Sequence, residues 1–177
     1  MSWRGNMMGM SFKSLGEGVK IYPTAKMIKP EVIEIGAYSM IDDFTFIYGG
    51  KGVRIGRYVH IGSFVSVIGG GELEVGDYAD IATGARLVTG TDHYAGGARM
   101  STALPPEQRN VRLGKIVLER DGFIGTNAVI HPNVVIGEGA VIGSCSLVLT
   151  DCEPWIIYAG VPCKPIGTRP RVNRPDI

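Results

Sequence analysis

No run of apolar residues in this 177-residue chain approaches the roughly 18 that a membrane-crossing helix requires. Neither sign of charge prevails. Lys and Arg number 18 and Asp and Glu 17, so a net charge of +1 supplies no basic field for nucleic acid and no acidic one for cationic partners. Cysteine is scarce. Cys145, Cys152 and Cys163 are odd in number and lack metal-type spacing, which argues against a disulfide framework and reads as reduced thiols in a cytoplasmic protein. Histidine is limited to His60, His93 and His131, with no His-x4-His pair among them. The first ten residues hold four Met but no compact apolar core, so no secretory signal is expected there.

What the chain does have is glycine and a period. Gly accounts for 26 residues, about twice ordinary usage, and it recurs at fixed places. Ile35-Gly-Ala-Tyr38, Ile55-Gly-Arg-Tyr58 and Val75-Gly-Asp-Tyr78 repeat one block every 20 residues. Within the blocks an aliphatic residue returns every six: Ile35, Ile41, Ile47; Ile55, Ile61, Val67; Val75, Ile81, Leu87. Four places after most of them stands a small or β-branched residue, such as Ser39, Thr45, Val59, Val65, Ala79 and Ala85. A second run, Leu118, Ile124, Ile130, Ile136, Ile142 and Val148, keeps the six-residue step without a break. Amphipathic helices are excluded, because Gly and β-branched residues recur where a helix favours Ala, Leu or Glu. The period predicts an all-β solenoid of about six three-sided coils, with short parallel strands and aliphatic side chains turned inward.

The chain length fits one domain, here residues 15–153, after a leader over residues 1–14 and before a C-terminal segment and tail over residues 154–177. In the first three coils the third segment is eight residues long (MIKPEVIE, IYGGKGVR, VIGGGELE). Two extra residues per turn predict a stacked corner bulge, with Gly49, Gly50, Gly69 and Gly70 at positive φ. Residues 92–115 then break the period with a 24-residue excursion containing Pro105-Pro106. Structureless loops of that length in compact domains are usually functional. The tail from Thr168 to Ile177, with three Arg and two Pro, is expected to be poorly ordered alone.

The segment IGEGAVIGSCSLVLTDCEPWIIYAGVPCKPI (Ile136 to Ile166), with the hexads and the His-led loop, resembles the left-handed β-helix acyltransferases, in the sugar and xenobiotic acetyltransferase branch that includes the galactoside and maltose enzymes. The resemblance covers Leu15 to about Ile166. It implies a left-handed parallel β-helix, a homotrimer, and acetyl-CoA as co-substrate in a groove between neighbouring solenoids, with no metal. The acceptor it implies is a sugar hydroxyl or amine, of the surface-polysaccharide or nucleotide-sugar type. It carries cofactor contacts onto Thr126, Ser144, Leu149, Thr150 and Lys164. Arg169 and Arg171 beyond Lys164 are candidates to neutralise CoA phosphates, since Gly167 stands where relatives can carry a further Arg.

The resemblance also places a catalytic His at the head of the loop, after a Thr-Gly pair, and Val88-Thr-Gly-Thr-Asp-His93 matches it with one residue more. A hydroxyl attacking a thioester needs a base, and imidazole titrates near neutrality. In a close subgroup of sugar acetyltransferases an Asp stands at the position of His93, which leaves His60 as the runner-up base or an amine acceptor that needs little assistance. His60 is otherwise a surface ring bonded to the neighbouring coil, above which Asp80 stands. His131 is read as structural. Asp92, Tyr94 and Arg99 are the candidates for contact with the acceptor. Tyr38, Tyr58 and Tyr78 form an exposed or interfacial ladder, Asp42-Asp43 a solvated corner, and Cys145 a packing or groove residue. The alternatives left open are a non-enzymatic solenoid scaffold and a zinc hydratase of the carbonic-anhydrase type, which needs three converging His ligands.

Overall fold

The structure, a computed structural model, describes residues 11–177; most of the expected leader lies outside the described residues. Parallel strands of two to four residues climb three faces of a triangular prism. The first face runs from Ser14–Leu15 through Gly52–Ile55 and Glu72–Val75 to Val134–Ile136, and the third from Lys26–Ile28 to Leu147–Val148, with six strands each. The second face begins at Lys20–Ile21 and has eight strands, of which only the last, Cys163–Thr168, is antiparallel to its neighbour. This is a left-handed parallel β-helix of six coils, with a further strand, Ile156–Gly160, laid on its end.

The six-residue step produces this shape because successive strand side chains point to opposite faces. A two- or three-residue strand therefore sends one side chain inward, and three such strands return the chain to its start. Ile41, Ile61, Ile81, Ile124 and Ile142 stack in adjacent coils and are fully buried. Each contributes roughly 1.5–3 kcal/mol by leaving water. The small fourth residues fill the corners. Ser39 Oγ donates to Gly56 O (2.8 Å) and accepts from Val59 N (3.0 Å), so this buried hydroxyl is satisfied.

The eight-residue segments are only partly the bulge that the spacing suggests. Gly50, Gly69 and Gly70 adopt positive φ, but Gly49 does not. The first face carries a second inward column, Ile33, Val53 and Leu73, which Ile116 and Val134 continue in the later coils, and all five are buried. The extra residues shift the first three of these off the fourth place after the preceding aliphatic residue. The second face likewise continues past residue 153, because Ile156–Gly160 pairs in parallel with Val141–Ile142 before the chain folds back.

The tail has partners along the corner between the first and second faces. Arg169 donates to Asp121 O (2.6 Å) and Gly139 O (3.2 Å) and lies over Trp155, as does Arg171. Arg120 pairs with Asp176, and the Tyr78 hydroxyl meets the backbone of Ile177. The same corner carries the tyrosine ladder, with ring centroids 5.2 and 5.4 Å apart and the Arg120 guanidinium 4.7 Å from Tyr78. The aromatic interactions and carbonyl contacts of Arg169 occupy a group that sequence reading made available to phosphate.

Candidate active site

The excursion leaves from the corner between the third and first faces. It is a two-stranded ribbon at its base, where Gly90–Asp92 pairs antiparallel with Val111–Leu113. Thr89 is buried at this exit. Its hydroxyl donates to Ile68 O (2.8 Å) and accepts from Gly71 N (2.9 Å), which pins the ribbon to the coil below. A Cβ on Gly71 would collide with the carbonyl oxygens of Gly114 and Thr89, so the two legs of the ribbon close over a residue that must be glycine.

Within the loop, Arg109 Nη2 donates to Asp92 Oδ2 at 3.0 Å, and each side chain is 15% exposed. Beside this ion pair, Asp92 Oδ1, His93 Nδ1 and Arg109 Nε are buried without a hydrogen-bond partner among the described residues. Unpaired buried polar atoms are rare and call for a reason. Here two of them belong to Asp92 and His93, which the sequence marked for chemistry, and the third to Arg109, which is ion-paired with Asp92. The His93 backbone donates to Asn110 O (2.8 Å), and the turn at Gly96 lies so close that an added Cβ would be 3.0 Å from His93 Nδ1. Tyr94 stands at the loop surface, 74% exposed, with its hydroxyl 3.2 Å from Thr91 Oγ1. Arg99 is exposed and meets the opposite leg through backbone contact with Gln108 and Arg109. Arg109 and Asn110 have no signal in the sequence, since the loop has no period and their partners lie 17 residues away.

His60 is arranged differently. Its Nδ1 lies 3.1 Å from Asp80 Oδ1 and its Nε2 3.1 Å from Asp42 Oδ2, so both nitrogens face carboxylates. The hydrogen bond to Asp80 leads the effects that raise its pKa to about 9, against the opposing penalty of burial. An imidazolium with both N–H groups committed has no lone pair to accept a proton. This favours the reading of a ring bonded between coils, and it engages Asp42 with histidine.

A pH effect follows. The folded pKa lies above the ordinary value of 6.5, so the contribution of His60 to stability is complete below about pH 6.5 and is lost as pH rises through about 9. Substituting His60→Gln removes that dependence. The gap in melting temperature between the two proteins narrows from pH 6 to pH 10; a constant gap overturns the assignment.

The five residues assigned to the cofactor do not form one cluster. Thr126 and Ser144 are exposed one coil apart on the corner between the second and third faces, where Cys145 N donates to Thr126 O (2.8 Å). Leu149 and Thr150 are exposed on the next corner, the one that carries the loop. Lys164 is exposed on the closing hairpin, opposite Ala159. Among the described residues, no group of three or more His, Cys, Asp or Glu side chains is placed to hold a metal, and no helix is long and apolar enough to cross a membrane.

Residues 115–150 match the family described as bacterial transferase hexapeptide (six repeats). A dTDP-4-amino-4,6-dideoxy-D-glucose acyltransferase of Escherichia coli is 36% identical over 161 residues, spanning 90% of this chain and 84% of the relative. AntD, an N-acyltransferase from Bacillus cereus solved with dTDP-4-amino-4,6-dideoxyglucose and coenzyme A, superposes with a TM-score of 0.88 at 37% identity, covering 93% of this chain and 88% of that one. A structure of the same enzyme with dTDP and 3-hydroxybutyryl-CoA superposes with a TM-score of 0.85 at 38% identity, over 90% and 85% of the two chains.

Proposed function

The chain belongs to the bacterial hexapeptide-repeat transferase family, and on that premise we propose that it transfers an acyl group from a CoA thioester to the amine of a nucleotide-linked amino sugar. The observation that carries this reading is the near full-length match to an enzyme acting on a dTDP-linked 4-amino sugar. The amine nitrogen attacks the thioester carbonyl, the C–N bond forms as the C–S bond breaks, and the CoA thiolate leaves. His93 takes the proton that the nitrogen releases. Asp92, held by Arg109 and with Oδ1 unpaired, orients the amine; Tyr94 and Arg99 on the exposed loop contact the rest of the acceptor. His60, already committed to two carboxylates, is not used as the base.

The working species in this reading is a homotrimer, because closed rotation about one edge of a three-sided prism buries part of each subunit at no cost in new contact types. Thr126 and Ser144 offer small side chains and accessible backbone to the pantetheine arm, while Leu149, Thr150 and Lys164 receive the remainder of the cofactor, with Lys164 as a point charge for phosphate. The residues 15–153 carry the catalytic solenoid and residues 154–177 close it. Three free thiols suit a reducing compartment, so we assign the protein to the cytoplasm.

CoA-thiol release tests the acceptor. With acetyl-CoA or 3-hydroxybutyryl-CoA, release is expected with dTDP-4-amino-4,6-dideoxyglucose and not with dTDP-glucose or a simple galactoside. Equal release with the hydroxyl-only compounds overturns N-acylation. Failure to bind either thioester returns the chain to the scaffold reading.

A further inference from the structure

Two aromatic ladders climb the solenoid at intervals of 20 residues, and they end differently. On the corner between the first and second faces the rungs are Tyr38, Tyr58 and Tyr78, and the Arg120 guanidinium lies over the last ring. On the corner between the second and third faces they are Phe44 and Phe64, with ring centroids 5.0 Å apart and planes within 8°. The next rung on that corner is Gly84, which has no side chain. Phe44 and Phe64 are 56% and 54% exposed, and among the described residues no cation lies over either ring. Phenylalanine has no polar tip to satisfy in water, so a stacked pair that stops one rung short marks a place for a further flat ring.

Polar groups surround the level just above Phe64. Gly84 keeps the left-handed backbone of its rung, with φ 76°, and a Cβ there would collide with Asn127 Oδ1. The Asn127 amide therefore reaches down from the next coil to the rung that glycine leaves open. Arg86 folds back over the same corner, where its Nη1 donates to Phe64 O (2.7 Å) and to the carbonyls of Gly84 and Ala85. Its Nε and Nη2 take no part in these bonds. Arg86 has no carboxylate partner among the described residues, unlike Arg54, Arg57, Arg109 and Arg120. An open aromatic face, a carboxamide and an uncompensated guanidinium at one level match the parts of a nucleotide. The ring suits a base, the amide carries a donor and an acceptor for the edge of that base, and the guanidinium suits phosphate.

The position of this corner favours the acceptor over the cofactor as the source of that nucleotide. The strand Arg86–Val88 leads directly from the corner to the one that carries the loop, a distance of about 10 Å at ~3.3 Å per residue. A nucleotide-linked sugar is extended enough to follow it, with the base at the phenylalanines, the diphosphate along the strand and the sugar at the loop. Thr126 and Ser144 stand higher on the same corner, beside Asn127 and Cys145. The cofactor then approaches the loop from the later coils and the acceptor from the earlier ones, and neither occupies the other's stretch.

Resting on the nucleotide-sugar reading, we infer that the pyrimidine base of the acceptor stacks on the Phe64 ring at the rung of Gly84, with the Asn127 amide at its edge and Arg86 facing the diphosphate. Phe44 supports Phe64 from below and holds its plane across the solenoid axis. The subsite takes the nucleotide handle of the acceptor and leaves the chemistry to the loop, so it governs which amino sugars are held and not how the amide forms.

Calorimetric titration with dTDP tests the subsite. Phe64→Ala is expected to weaken dTDP binding by roughly 5- to 150-fold, the value of one base stacked on an aromatic ring, with far-ultraviolet circular dichroism and acetyl-CoA binding unchanged. Phe64→Trp keeps a ring at the rung and is expected to retain dTDP. Turnover of 4-amino-4,6-dideoxyglucose 1-phosphate, which has no base, is expected to be the same in Phe64→Ala as in the unaltered protein. Unchanged dTDP affinity in folded Phe64→Ala overturns the inference while leaving N-acylation of the sugar intact. Loss of acetyl-CoA in place of dTDP assigns the ring to the adenine of the cofactor and overturns it equally. An unaltered protein that binds no dTDP overturns the nucleotide-sugar reading itself. If Phe64→Ala does not fold, Phe64→Leu, which keeps apolar bulk without a ring, is expected to lose dTDP in the same way, and full retention by that variant overturns the inference.

Discussion

Replacing His93 with Ala is expected to lower turnover by roughly 10²- to 10⁴-fold, the range for loss of a general base, while calorimetric binding of acetyl-CoA stays within about twofold. The position of the residue supports so large an effect. Its backbone is fastened to Asn110, its Nδ1 is shielded from water with no partner among the described residues, and the adjacent Asp92 is held by Arg109. Of the two imidazoles within the repeat, His60 spans two carboxylates and is drawn toward the charged form. An amine nucleophile lessens the demand for a base before attack, yet the nitrogen still has to shed a proton as the amide forms. The loss should therefore appear in kcat, and raising the pH should recover part of it by deprotonating the free amine. Turnover that survives the substitution removes His93 from the mechanism and leaves an unassisted amine.

Truncating Ile124 to Ala is expected to destabilise the fold by about 2–5 kcal/mol, and Ile124→Val by about 0.5–1.5 kcal/mol. Ile124 is fully buried, directly between Ile81 in the coil below and Ile142 in the coil above. A solenoid is held by contacts between adjacent coils, so a hole at this level weakens two interfaces at once. Neighbouring strands are tied by backbone hydrogen bonds and cannot easily collapse into the space. The shift in urea midpoint, read at one fixed protein concentration because association adds to apparent stability, checks it. A change in Ile124→Ala of less than about 0.5 kcal/mol contradicts the stacking described.

Some parts of the molecule were legible and others were not, for reasons that differ residue by residue. The six-residue column from Ile35 to Val148 could be read directly, as could the tyrosine ladder, because both follow from counting along one chain. The first three members of the second inward column, Ile33, Val53 and Leu73, were hidden by the two-residue insertions that shift them off the fourth place. The likeness of His60 to a coil-bonded ring was visible through Asp80 one block later, but its second carboxylate, Asp42, is on the coil below and two places along its strand. The Asp92–Arg109 pair could not be found at all, since its members stand on opposite legs of an aperiodic loop.

The sequence by itself determined the solenoid, its three-sided coil and the place where the loop departs, because these depend on local spacing and on alternation within short strands. Tertiary structure decided the contacts of the segments that have no period. It engaged Arg169 with Trp155 and with the carbonyls of Asp121 and Gly139, and it joined Asp92 to Arg109 across the loop. Those outcomes depend on where an aperiodic segment comes to rest against distant residues, a distance in space that no residue count contains.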